Sequence, residues 1–73
     1  MQTRHINGEA VAAIRELRKM SATDLAVAVG VSVSTISRVE TGARQLSPGK
    51  VEALANALGV VPKAITYPIA RAA

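Results

Sequence analysis

The chain has 73 residues, with nine Lys or Arg against five Asp or Glu for a net charge of +4, one His and no Cys. That length allows one small domain around a single aliphatic core, since Tyr67 is the only aromatic residue. Without Cys there are no disulfides or thiolate metal sites, a lone His5 does not assemble a zinc site, and neither a catalytic constellation nor a glycine-rich phosphate loop points to an enzyme or a cofactor.

Met1–Ile6 reads as a short arm. Asn7 suits the cap of a first helix over about Gly8–Lys19, with Val11, Ile14 and Leu17 at near-helical spacing. Ser21 with Asp24 three residues on opens a second helix, Ala22–Val29, which Gly30 ends by taking the left-handed conformation. Ser32 caps a third helix, Val33–Thr41, with Gly42 just past its end, and Ala43–Leu46 forms a basic loop. Ser47-Pro48, a cap followed by proline, opens a fourth, whose Val51, Leu54, Ala55 and Leu58 share one face before Gly59. Pro62 opens a short fifth helix through Ile65 and Thr66, and Pro68 limits it, leaving an irregular tail over 67–73. The expectation is one all-α, compact five-helix domain over residues 1–73.

Apolar residues bracket each cap: Ile6 and Val11, Met20 and Leu25, Val31 and Ile36, Leu46 and Val51. The alternation of Val27, Val29, Val31 and Val33 also suits a β-hairpin, but the repeated caps favour helices. Ala26, four residues before Gly30, lets two helices cross closely, so residues 22–41 read as a helix-turn-helix. Leu25, Val29, Val31, Ile36 and Val39 then face inward, and Val33, Ser34, Ser37, Arg38 and Thr41 face outward. Such an outer face enters a DNA groove: Arg38 bonds guanine, Ser34 and Ser37 reach base edges, and Val33 offers apolar contact. Thr23 and Thr35 lie in first turns, whose free N–H groups suit phosphate oxygens.

Ile14-Arg15, Met20-Ser21, Leu25-Ala26, Gly30-Val31-Ser32, Ser34 to Glu40, Gly42 and Leu54 to Val60 together resemble the Cro and phage-repressor-like helix-turn-helix family, including the lambda repressor, over roughly Val11 to Val60. The resemblance implies a five-helix domain that binds DNA as a two-fold dimer, with the third helix in the major groove and Arg44 and Lys50 flanking the phosphate backbone. It also implies an internal ion pair between Arg15 and Glu40. Two positions depart from the family pattern: Ala22 and Val33 stand where Gln, or Gln or Arg, is frequent, so base specificity is expected to be modest or to rely on DNA shape.

The expected function is therefore a sequence-dependent DNA-binding transcriptional regulator, a phage or prokaryotic repressor. Val60, Val61, Ile65, Tyr67 and Ile69, the apolar residues left over, are the expected homodimer interface. The alternative is a protein-binding regulator on the same scaffold, such as an antitoxin or antirepressor partner, to which outward-facing Val27 would contribute. The longest apolar run, Leu25–Val31, falls far short of the ~20 residues of a spanning helix and no signal-peptide pattern is present, so a cytoplasmic protein is expected.

Overall fold

Polar side chains set the helix starts. In the computed structural model, which describes residues 4–69, Asn7 Oδ1 accepts the Ala10 N–H at 3.2 Å and opens α1 (Gly8–Leu17). Ser21 opens α2 (Ala22–Val29) reciprocally: its Oγ accepts the Asp24 N–H at 3.0 Å, and Asp24 Oδ2 accepts the Ser21 N–H at 3.2 Å. Ser32 Oγ accepts the Thr35 N–H at 3.1 Å at the start of α3 (Val33–Glu40). Ser47 precedes α4 (Pro48–Leu58) without a side-chain cap bond, and Pro48 in its first turn has no N–H to satisfy.

All four helices end alike. The N–H groups of Met20, Val31, Ala43 and Val60 donate to the carbonyls of Arg15, Ala26, Arg38 and Ala55 at 3.0, 3.0, 2.8 and 3.0 Å. The residue before each donor is left-handed: Lys19, Gly30, Gly42 and Gly59, at φ 58°, 81°, 83° and 73°. Lys19 adopts this conformation with a Cβ, at a cost of about 1 kcal/mol. With no glycine to mark it, α1 ends at Leu17, short of the expected Lys19. Leu17 itself is 77% exposed, although near-helical spacing groups it with Val11 and Ile14. It lies six residues beyond Val11 and is turned about 120° away from it around the helix.

Val11, Leu25, Ile36, Val39, Leu54, Leu58 and Ile65 are fully buried and form the centre of the core. Between α2 and α3 the chain turns through 107°, and Ala26, 2% exposed, permits the close crossing. No single helix among the described residues is long and apolar enough to cross a membrane.

The ends of the chain depart from expectation. Arg4–Ile6 is not a free arm but a strand, β1, antiparallel to β2 (Thr66–Pro68), with Arg4 opposite Pro68 and Ile6 opposite Thr66. The expected irregular tail therefore begins after Pro68, and its residues 70–73, like arm residues 1–3, lie outside those described. Arg4 secures the ribbon, its Nε donating to Thr66 Oγ1 at 2.8 Å and its Nη2 to the Thr66 carbonyl at 3.1 Å. Gln45 Oε1 accepts the Ile6 N–H at 2.8 Å, closing one strand edge, while Pro68 has no N–H to offer on the other. The expected fifth α-helix is a single 3-10 turn, Pro62–Ile65. Between Pro62 and the extended Thr66 (φ −135°, ψ 164°) too few residues remain for an α-helix.

Gly8 was expected only as the start of a helix, yet it is a contact point. A Cβ there would lie 2.4 Å from the Val39 carbonyl oxygen and 2.5 Å from that of Glu40, so the amino end of α1 rests directly on the carboxyl end of α3. Those oxygens belong to a helix backbone and cannot swing aside. Gly8→Ala gains up to about 1 kcal/mol of helix propensity, but forcing the helices apart costs about 1 to 3 kcal/mol or more. The expected result is a net loss, seen as a drop in the thermal midpoint of the far-UV circular dichroism signal; an unchanged or raised midpoint would contradict this packing.

Candidate nucleic-acid interface

The outer face of α3 carries Val33, Ser34, Ser37, Arg38 and, just beyond its end, Thr41, all exposed. Its inner face, Ile36 and Val39, lies in the core. The Thr41 hydroxyl donates to the Arg38 carbonyl at 3.1 Å, while the side chains of Ser34, Ser37 and Arg38 make no hydrogen bond to any other described residue. One rigid face thus presents two free hydroxyls, one guanidinium and one branched apolar group, Val33, 43% exposed.

The amino end of α3 is a fixed platform. Ser32 Oγ and Thr35 Oγ1 lie 2.9 Å apart, and Arg44 Nη1 donates to Thr35 Oγ1 at 3.5 Å. This corrects the expectation for Thr35: it is 9% exposed, its hydroxyl and amide are engaged by Ser32, and it positions Arg44 rather than meeting a phosphate itself. Arg44 stands in a region already positive from the α3 dipole, so an anion arriving there meets both. Thr23 is exposed in the first turn of α2. Lys50 is also exposed, but its Nζ donates to the Val29 carbonyl at 3.2 Å, across the carboxyl end of α2, where a cation is favoured. Arg18, unremarked in the sequence, does the same for α4 by donating from Nε to the Leu58 carbonyl at 3.1 Å.

Away from this face, Arg15 Nε lies 2.7 Å from Glu40 Oε2 and its Nη2 donates to Glu40 Oε1 at 3.2 Å, a two-point contact between α1 and the end of α3. Arg15 Nη1 also donates to the Met20 carbonyl at 3.0 Å. The hydrogen bond that Arg15 donates to the Glu40 carboxylate, opposed in part by burial, raises the Arg15 pKa above its ordinary value. The expected apolar interface is not intact: Ile65 is 0% exposed, because the 3-10 turn drives it into the core, and so it cannot meet a second chain. Val60 and Ile69 are half-buried, and Val61 and Tyr67 are exposed, Tyr67 edge-on to His5 at 5.9 Å between ring centroids.

Two short helices crossing at a tight turn, with the polar face of the second free and the first held from behind by flanking helices, define a helix-turn-helix domain of the phage-repressor type. The chain belongs to the helix-turn-helix family, whose profile matches residues 11–64. It is 42% identical over 60 residues to an uncharacterised HTH-type transcriptional regulator of Mycobacterium tuberculosis, covering 82% of this chain and 23% of that protein. It is 39% identical over 61 residues to the HTH-type transcriptional repressor RghR of Bacillus subtilis, covering 82% of this chain and 45% of that one. The chain thus spans less than half the length of these relatives. Among solved structures it is similar to the P22 c2 repressor bound to a synthetic operator, with a TM-score of 0.75, 32% identity and coverage of 78% of this chain and 86% of that one. The restriction-modification controller protein C.AhdI from Aeromonas hydrophila gives a TM-score of 0.74 at 30% identity, with coverage of 78% and 86%.

Proposed function

We propose that residues 1–73 act as one DNA-binding domain of a transcriptional regulator of the repressor type, which inserts α3 into the major groove as a two-fold dimer on a pseudo-palindromic operator. The observation that carries this reading is the outer face of α3, on which the side chains of Ser34, Ser37 and Arg38 are free, while of the aliphatic residues of that helix Ile36 and Val39 are buried and Val33 alone is exposed. The relatives named as transcriptional regulators and the operator-bound P22 repressor support it. Val33, Ser34, Ser37 and Arg38 meet base edges; Thr23, Arg44 and Lys50 meet phosphates. Half-sites lie ~34 Å apart or a multiple of it. The dimer forms through Val61 and Tyr67 with the flanking parts of Val60 and Ile69.

The test begins with duplexes selected from a random pool. Arg38→Ala is expected to weaken the selected duplex by about 1 to 3 kcal/mol and to relax preference at one position. Arg44→Ala weakens all duplexes evenly and lowers the salt slope by about two, one contact from each protomer of the dimer. If the double variant binds the selected duplex as the unaltered protein does, α3 is not the reading element. Val27, 77% exposed on α2, favours the second reading in that event: a regulator that contacts protein, as an antitoxin or antirepressor does.

A further inference from the structure

We propose that Asn7-Gly8 is a site of spontaneous covalent modification, the conversion of Asn7 to isoaspartate, and that the seat of α1 on α3 holds it closed. This does not depend on α3 meeting DNA. Asn7 is exposed and is followed by glycine, whose nitrogen has no neighbouring Cβ to obstruct its attack on the Asn7 side chain. The Gly8 N–H stands at the first position of α1 and makes no hydrogen bond to a described residue. The other asparagine, Asn56, lies inside α4 and precedes Ala57. In the reaction the Gly8 nitrogen bonds to Asn7 Cγ and gives up its proton to solvent, the Cγ–Nδ2 bond breaks, and Nδ2 leaves as ammonia. Water then opens the five-membered imide at either carbonyl carbon, giving aspartate or isoaspartate, and no other co-reactant is needed.

The fold resists the first step. Ring closure needs rotation about the Asn7 Cα–C bond away from the observed ψ of 95°. The Asn7 N–H donates to the Ile65 carbonyl at 2.7 Å, the Asn7 carbonyl accepts the Val11 N–H at 3.1 Å, and Oδ1 accepts the Ala10 N–H at 3.2 Å, so backbone and side chain are both held. The same rotation would swing the buried Gly8, which is set against the Val39 and Glu40 carbonyl oxygens. The reaction therefore runs through molecules in which the amino end of α1 has lifted from α3. Return is then blocked, because isoaspartate adds a carbon to the backbone and the contact at Gly8 has no room even for a Cβ. Aspartate, by contrast, caps a helix as well as asparagine does. Conversion to isoaspartate thus turns a transient opening of the α1–α3 contact into a permanent one.

The experiment incubates the protein in warm, mildly alkaline buffer with and without guanidinium chloride, follows Asn7 and Asn56 by peptide mass spectrometry, and counts isoaspartate by enzymatic carboxyl methylation. Asn7 is expected to convert in denaturant and at least about tenfold more slowly in the folded protein, with Asn56 lagging behind it in denaturant. Glu40→Ala, which loosens α3 against α1, is expected to raise the folded rate. The aged folded sample is expected to contain a lower-melting fraction equal to its isoaspartate content, whereas Asn7→Asp melts with the unaltered protein. Equal rates with and without denaturant, no conversion at Asn7 in denaturant, a folded rate unmoved by Glu40→Ala, or an isoaspartate fraction that melts with the unaltered protein overturns the inference.

Discussion

Affinity for the selected duplex is expected to fall about 10³-fold between 50 and 200 mM salt, because each neutralised phosphate releases condensed counterions and log affinity falls with log salt at about 0.9 per contact. Arg38, Arg44 and Lys50 are the exposed cations that the proposal sets against DNA. A dimer that sets these three from each protomer against the duplex, Arg44 and Lys50 at phosphates and Arg38 at a base edge, brings about six cations in place of condensed counterions and has a slope of about −5.4; a monomer has a slope of about −2.7 and loses only about 40-fold over the same range. One titration therefore reports both the backbone contact and the number of chains on the duplex. A slope near zero would remove the phosphate contacts from the proposal. Net charge alone does not set this slope, since the Arg15 charge is paired with Glu40 and only cations that approach the duplex displace its counterions.

What was legible in the sequence was local. Asn7, Ser21 and Ser32 sit at true helix starts because a cap bond spans only three residues, and Gly30, Gly42 and Gly59 mark true ends because the left-handed turn favours glycine. Where the same turn is made by Lys19 that signal is missing, and the sequence places the end of α1 two residues beyond Leu17. The strands went unread for a different reason. Each has only three residues, too few to show a period, and the partners of Arg4 lie 62 residues away. Gly8 does start α1, as its place after Asn7 indicates, but its packing role was not legible because its neighbour across the contact, the end of α3, is remote in sequence.

The candidate site divides along the same line. The outward face of α3 follows from helical periodicity, so Val33, Ser34, Ser37 and Arg38 stand on it together. The state of a side chain depends on what other elements bring to it. Thr35 looked like a phosphate clamp from its place in a first turn, but Ser32 and Arg44 close over it. Lys50 looked like a flank of the DNA backbone, and it also holds the end of α2 through the Val29 carbonyl. Ile65 was counted as spare because no periodicity assigned it a face, whereas the 3-10 turn rotates it into the core.

Removing one partner of the Arg15–Glu40 pair is expected to cost about 3 kcal/mol, the lower end of the range for a buried pair, since the two side chains remain 15% and 14% exposed. A domain of this size holds about 4 to 11 kcal/mol in all, and each kcal/mol moves the midpoint by about 4 to 8 °C, so a fall of about 12 to 24 °C is expected. Arg15→Ala should exceed Glu40→Ala. It also frees the Met20 carbonyl, and it leaves the Glu40 carboxylate at the negative end of α3 with no cation against it. The pH does not substitute for mutation here. A cation whose pKa is raised in the folded state contributes its stability in full below the unfolded value and loses it only as pH rises through the folded one, and for Arg15 that lies above an already high ordinary value. Urea unfolding at constant m checks the magnitude, and a loss under about 1 kcal/mol would reclassify the contact as a solvated surface pair. The double variant Arg15→Met with Glu40→Leu is expected to recover most of the loss, because no uncompensated charge remains between α1 and α3. Held below its midpoint, Glu40→Ala should still bind the selected duplex as tightly as the unaltered protein, since the pair grips the far end of α3 from the core side and not from the groove.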